Sequence, residues 1–237
     1  KCQRKPPLYG AEAAPAGESA MSIWNILFPP KCVLCHRVLE PSETDLCHHC
    51  RTDSPECPVS NQKLPYLDSW VAVWYYEDHV RSSLLRYKFR GVRCYAETYG
   101  RLLAMKLQQE HPDGFDLLTW VPISRLRKLR RGFDQVELLA YHVSRELDIP
   151  AVPMLKKIRH NRPQSGIKGD GHRRANVLGA YTVTDPAAAA DKKILLLDDI
   201  VTTGATAGEC SRMLLSAGAK EVHFGAVAAA RRKAKSR

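Results

Sequence analysis

The chain has 237 residues, 44% of them hydrophobic, and 36 Lys and Arg against 25 Asp and Glu give a formal net charge of +11. That length allows one good-sized core and a small satellite, since domains usually run to about 100 to 200 residues, and the positive balance favours phosphate-bearing partners, nucleic acid among them. The longest apolar runs, such as Ile194 to Leu197, fall far short of the roughly 20 residues a membrane-crossing helix requires, so no membrane span is expected and the chain reads as soluble.

Lys1 to Ala20 lack the basic-then-apolar layout of a secretory signal and are rich in Ala, Pro and Gly. Residues 1–21 are therefore expected to be disordered, with Met21 as a candidate start. Between residues 22 and 61 the sequence is short of periodic apolar residues and dense in Cys, His and Pro, and such a segment cannot form a core unaided. Four of the eight cysteines sit in the spacing Cys32-x2-Cys35-x11-Cys47-x2-Cys50. Each C-x-x-C turn brings two thiolates onto one metal, as tetrahedral zinc demands, and metal binding would replace the missing core. This pattern points to a zinc ribbon in a reducing, cytoplasmic setting rather than to disulfides. Unligated structural cysteines or a redox pair are the alternative. His36, His48 and His49 crowd the pairs without being needed, and Cys57 is left over.

From Tyr66 the texture changes. Ser69 to Tyr76 has the aromatic and β-branched content of a strand, and a helical pattern follows through Val80, Leu84 and Tyr87. A second helix runs through Tyr95, Tyr99, Leu102, Leu103 and Leu107 and ends near His111 and Pro112. Leu117 to Pro122 reads as a buried strand. A basic loop, Ser124 to Gly132, then leads to a helix starting at about Phe133 with Val136, Leu139, Ala140, Val143 and Leu147 on one face. Ile149 to Leu155 is the next expected strand, and Arg159 to Arg174 is a polar, Gly-containing stretch without periodicity, of a length that is usually functional. Ala180 to Val183 can form a short strand and Ile194 to Asp198 is the clearest one. The following helix buries Ala207, Cys210, Met213, Leu214 and Ala217 and ends at Gly218. A last strand, Val222 to Val227, leads into a basic tail at residues 232–237. Alternating strands and helices over residues 66–231 imply an α/β fold with a doubly wound parallel sheet.

Asp198 and Asp199 end a run of four apolar residues, which places two carboxylates at the carboxyl edge of a buried strand, where open parallel sheets bind ligands. Thr202, Thr203, Gly204, Ala205 and Thr206 then turn into a helix N-terminus, whose unpaired N–H groups and dipole favour a phosphate. A loop holding a 5′-phosphate sets a sugar diol within reach of two acidic acceptors, and diol plus phosphate means a ribose phosphate. A helix cap followed by ordinary turn chemistry is the plainer alternative. The segment ILLLDDIVTTGAT resembles the phosphoribosyl-pyrophosphate (PRPP) motif of type I phosphoribosyltransferases. That resemblance implies that Asp198 and Asp199 hold the ribose hydroxyls, that Thr202 to Thr206 bind the 5′-phosphate, and that Mg2+ rides on the pyrophosphate.

The resembled family carries its pyrophosphate loop where Arg125, Arg127, Lys128, Arg130 and Arg131 stand here, and Arg131-Gly132-Phe133 is similar to the RGF of some members. Without that placement, the five basic residues would read as a solvated turn or a nucleic-acid patch. Arg159 to Arg174 lies where the family has a lid that keeps water from an oxocarbenium-like transition state, which makes Arg159 and Arg162 candidate lid residues. Asn161 and Gln164 complete a likeness to the RNR stretch of amidophosphoribosyltransferases. His160 and His172 read as solvent-exposed.

A zinc ribbon ahead of such a domain, joined through VWYYEDHVRSSLLRYKFRG and followed by RRGFDQVELLA, resembles the ComF competence-protein family and its GntX-like relatives. Lys88-Phe89-Arg90-Gly91 is similar to that family's K-[YF]-R-G signature, or is simply the end of an amphipathic helix. Members commonly carry a further C-x-x-C, whereas only Cys57 remains here, so a second metal is not expected. No segment reads as a hood over an acceptor base. The resemblance implies a PRPP-binding enzyme with an unidentified acceptor, linked to DNA uptake and natural competence. The alternatives are a non-catalytic protein that senses PRPP or binds single-stranded DNA, and a scaffold that meets DNA-uptake machinery through the ribbon.

Overall fold

The computed structural model describes residues 29–59, 63–159 and 177–231. In chain order these form helix α1 (His48–Asp53), strand β1 (Ser69–Tyr75), helices α2 (Asp78–Phe89) and α3 (Tyr95–Glu110), strand β2 (Leu117–Trp120) and helices α4 (Arg125–Arg131) and α5 (Gln135–Leu147). Strands β3 (Leu155–Lys157) and β4 (Tyr181–Val183), the single-turn helix α6 (Pro186–Ala189), strand β5 (Lys193–Val201), helix α7 (Ala205–Ser216) and strand β6 (Glu221–Ala229) follow.

Four strands make a parallel sheet in the order β1-β6-β5-β2, with Leu118 opposite Leu195 and Leu195 opposite His223. Parallel neighbours cannot be joined by hairpins, so helices carry the chain back. Ile194 to Leu197 are each 0% exposed, as a strand covered on both faces must be. Leu195 and Leu197 enter the core shared with α3 and α5, and Ile194 and Leu196 the core beneath α7. Side chains alternate along a strand, so one apolar run serves both layers. The expected doubly wound sheet is present.

Helix α5 begins at Asp134, whose carboxylate accepts from the N–H groups of Val136 and Glu137, and its buried stripe is Val136, Leu139, Ala140 and Val143. Helix α3 lies so close to it that a Cβ added at Gly100 would come 2.5 Å from the Cβ of His142. Glycine at that crossing is a packing requirement.

Two expectations need correction. Residues 125–131, read as a loop, form α4. Ser124 caps its start by accepting from the Arg127 N–H, and Gly132, at φ 74°, closes its end by donating to the Lys128 carbonyl. The helix lacks a periodic buried face, leaving Leu126 and Leu129 59% and 81% exposed, so hydrophobic spacing could not announce it; caps and the helix propensity of Arg, Leu and Lys hold it. The strand expected over Ile149 to Leu155 shrinks to a single bridge between Ala151 and Leu118, and the chain becomes a strand only at β3, which pairs antiparallel with β4. Pro150 and Pro153 withhold the N–H groups a longer ladder would need.

The cysteine-rich segment is docked on the main core. Cys32, Val33, Leu34, Leu39, Leu46, Cys47 and Cys50 are buried in one cluster with Leu84, Tyr87 and Tyr99. Ser83 Oγ donates to the Val33 carbonyl and Arg86 to that of Leu34. Arg101 and Thr98 both donate to the Asp45 carboxylate. Cys57 belongs elsewhere: its N–H donates to Val73 O at 3.0 Å, and Tyr75 N donates to Pro55 O at 2.7 Å. This segment thereby covers the open edge of β1.

Candidate functional site

The carboxyl ends of the parallel strands open into a cleft of about 850 Å³. Position in the fold accounts for this, because the strands stop there and their neighbouring helices diverge. Asp198 and Asp199 of β5 line it, as do Thr202, Gly204, Ala205 and Thr206 of the turn into α7. Gly204 adopts φ 74°, a left-handed conformation that favours glycine, and a Cβ there would press on the Leu64 side chain, 2.7 Å from its Cδ2. Thr203 is the inward residue of the turn: it is buried, and its Oγ1 accepts from Ala205 N at 3.4 Å.

The two carboxylates have different surroundings. Asp199 is buried; its Oδ1 pairs with Lys88 Nζ at 2.9 Å and its Oδ2 accepts from Gln135 Nε2 at 2.9 Å. Asp198 is partly open to the cleft, and its Oδ1 accepts from Asp199 N at 2.8 Å. Burial and the adjoining Asp199 charge push the Asp198 carboxyl up to about 8, with Lys88 opposing them.

Arg81, Lys88, Arg127, Arg130, Arg131 and Lys157 also line the cleft, so among the described residues six basic side chains face two acidic ones. The surplus suits a polyanion. Burial draws the pKa of the Arg131 guanidinium and that of the Lys157 ammonium below their ordinary values. Arg131 stacks over the Phe89 ring at 5.0 Å, and Lys157 over Tyr181 at 5.2 Å.

Of the basic residues singled out in sequence, Arg127, Arg130 and Arg131 therefore meet the acidic pair across one cleft. Lys128 points away, donating to Glu137 Oε2 at 2.7 Å. The side chain of Arg125 lies outside what is described, as do residues 160–176 with Arg162, His160 and His172; Arg159 is described and exposed. In the sequence Lys88 and Gln135 are only letters of two resembled motifs, and nothing in the pattern ties them to Asp199. Lys157 and Tyr181 carried no signal, because they reach the cleft only through the antiparallel β3–β4 pair.

The four cysteine Sγ atoms of Cys32, Cys35, Cys47 and Cys50 lie within 4.8 Å of one another. Cys35 Sγ and Cys47 Sγ are 3.6 Å apart, near the roughly 3.8 Å edge of a tetrahedron with Zn–S bonds of about 2.3 Å. Four thiolates at these separations fit zinc. Among the described residues no other group of three or more potential ligands gathers, and no helix is long and apolar enough to cross a membrane.

The phosphoribosyl transferase domain family matches residues 137–237, from α5 through β6. Competence protein F of Haemophilus influenzae is 26% identical over 226 residues, which cover 84% of this chain and 97% of that protein. Competence protein ComFC of Bacillus subtilis is 30% identical over 149 residues, 62% of this chain and 58% of that protein. DNA utilization protein YhgH of Escherichia coli is 28% identical over 220 residues, 82% of this chain and 94% of that protein. The family match covers the acidic pair and its turn, so a type I phosphoribosyltransferase domain is matched over residues 137–237, and over most of its length the chain is similar to competence protein F and YhgH.

Proposed function

We propose that the chain binds PRPP and transfers its phosphoribosyl group to an acceptor, with release of pyrophosphate, in the service of DNA uptake or use. One observation carries this: the acidic pair, the threonine turn and the arginines of α4 line a single cleft. The turn's N–H groups at the start of α7 take the 5′-phosphate. Asp198 and Asp199 accept from the ribose hydroxyls. Arg127, Arg130 and Arg131 take the diphosphate, and their charge stabilises the leaving group as its bond to the anomeric carbon breaks. The acceptor's lone pair forms the new bond on the opposite side.

Magnesium would supply further charge neutralisation on the diphosphate. Among the described residues only two carboxylates line the cleft, one already paired with Lys88, so the ion fits as a passenger of the ligand rather than in a protein cage. Cys32, Cys35, Cys47 and Cys50 would hold a structural zinc. On this reading residues 22–61 form the zinc module and 66–231 the transferase unit of a cytoplasmic protein.

Six basic groups around the cleft and an exposed Phe89 also favour a second reading, a non-catalytic site for single-stranded DNA. Calorimetric titration of PRPP with and without Mg2+, followed by addition of single-stranded DNA, separates the two. Magnesium-dependent PRPP binding that DNA leaves untouched supports the transferase. Absence of PRPP binding, with salt-sensitive DNA binding in its place, refutes it.

A further inference from the structure

Neither oxygen of Asp199 is idle. Oδ1 holds the Lys88 ammonium and Oδ2 the Gln135 amide, each at 2.9 Å. Each oxygen keeps a second lone pair, but the Asp199 side chain is only 6% exposed, so a sugar diol, which also brings donors, gains room at this carboxylate when one of the present donors moves aside. The two differ in freedom. Gln135 is 3% exposed, and its backbone carbonyl accepts from the hydroxyl of the fully buried Tyr87. Lys88 reaches along the cleft wall from the last turn of α2, and its ammonium, on a flexible four-carbon stem, redirects readily between acceptors.

Charge sets the direction of movement. An ammonium leaving Asp199 enters a cleft lined by Arg127, Arg130 and Arg131, where it is repelled unless the ligand supplies negative charge. A diphosphate supplies it. The Gln135 amide adds a second sign of an absent ligand: its Nε2 is committed to Asp199, since the reversed amide would set oxygen against oxygen. Its Oε1 is buried and has no hydrogen-bond partner among the described residues. A buried acceptor left unpaired is destabilising, and a ligand hydroxyl would relieve it.

We infer that Lys88 is a diphosphate-binding cation held in reserve on Asp199. A ligand with both a vicinal diol and a diphosphate draws the ammonium onto the diphosphate, and the freed carboxylate, with Gln135 beside it, receives the diol. This rests on the PRPP reading and extends it. Lys88 lies outside the acidic motif and outside α4, yet it becomes the residue that separates a diphosphate-bearing sugar from its monophosphate.

The test is calorimetric titration of the full chain with PRPP and with ribose 5-phosphate, for wild type, Lys88→Met and Lys88→Gln. Loss of one charge-assisted contact predicts a drop of about 10- to 100-fold in PRPP affinity, with ribose 5-phosphate bound as well as before or better. Lys88→Gln leaves Asp199 a donor and serves if the methionine variant does not fold. Equal losses for both ligands, or no loss for either, overturn the inference and leave the PRPP reading standing. A wild-type protein that binds neither ligand removes both.

Discussion

Asp198 and Asp199 are neighbours on β5 that face opposite sides: Asp198 acts electrostatically on Lys157 and Tyr181, and Asp199 is held by Lys88 and Gln135. A strand's alternation makes this unavoidable. The acidic pair is thus two sites with separate duties. Asp199 arrives neutralised, whereas Asp198 carries the cost of burial beside a negative charge.

That cost has a pH signature. The Asp198 carboxyl sits at about 8 in the fold against 3.8 in its absence, so between those values the native state binds more protons than the unfolded one. Stability contributed by this group therefore falls as pH rises from about 4 to about 8. Asp198→Asn keeps the oxygen that accepts from Asp199 N and removes the charge. Thermal melts at pH 4 and pH 8 should show the variant's advantage over wild type larger at the higher pH by at least about 2–4 °C, equivalent to about 1 kcal/mol. A variant less stable than wild type at pH 8 would contradict the assignment.

Asp199 answers differently to substitution. Replacing it with Ala strands the Lys88 ammonium in a largely buried place and should cost about 3 kcal/mol of stability. Asp199→Asn keeps acceptor and shape at lower cost. Both should lose PRPP binding by at least about 100-fold, since a charged acceptor for the diol is gone. Denaturant melts alongside calorimetry distinguish the variants, and unchanged PRPP affinity in a folded Asp199→Asn protein would sink the ribose site.

The cysteine module should hold one zinc per chain by elemental analysis of reductively purified protein. Its metal ligands share a core with α2 and α3, so Cys47→Ser should lose the metal and lower Tm by about 5 °C or more, the sign that the module braces the larger fold. Zinc near zero in a folded wild-type protein would rule the site out.

Much of this was legible because single-residue chemistry announced it. The apolar run before Asp198, the threonine turn and the paired C-x-x-C spacings each act through near neighbours, and periodicity marked α2, α3, α5 and α7. What stayed hidden depends on distance in sequence. Lys88 reaches Asp199 and Gln135 reaches it from another helix because three elements converge at one sheet edge. The α4 helix hid for another reason, since a helix without a buried face has no hydrophobic period to show. Pro150 and Pro153 were visible letters whose effect on the ladder outweighed the apolar content around them.

Gly100 isolates packing from binding. The predicted Cβ clash with His142 at 2.5 Å means that Gly100→Ala must push α3 and α5 apart. Overpacking of this kind costs about 1–3 kcal/mol, a fall of roughly 2–4 °C per kcal/mol in Tm. Of these two helices only α5 reaches the cleft among the described residues, through Gln135, about two turns from His142, so PRPP affinity below the transition should stay within about twofold, as for distant independent sites. A Tm equal to wild type would show that the helices relax freely at this crossing.

The arginines of α4 allow a comparison inside one helix. Arg131 is half-buried in the cleft wall against Phe89, and Lys128, three residues earlier, turns outward to Glu137. If the diphosphate lies on this wall, Arg131→Ala should weaken PRPP binding by about 10-fold or more, the worth of one charge-assisted contact. Lys128→Ala should change it by less than about threefold, because its ion pair is exposed and weak. Charge alone cannot produce that split, since each variant removes one positive charge from the same short helix. Equal losses would mean that α4 acts only as a diffuse basic surface, the behaviour expected of the DNA-binding reading; unequal losses in the predicted order require a ligand seated in the cleft.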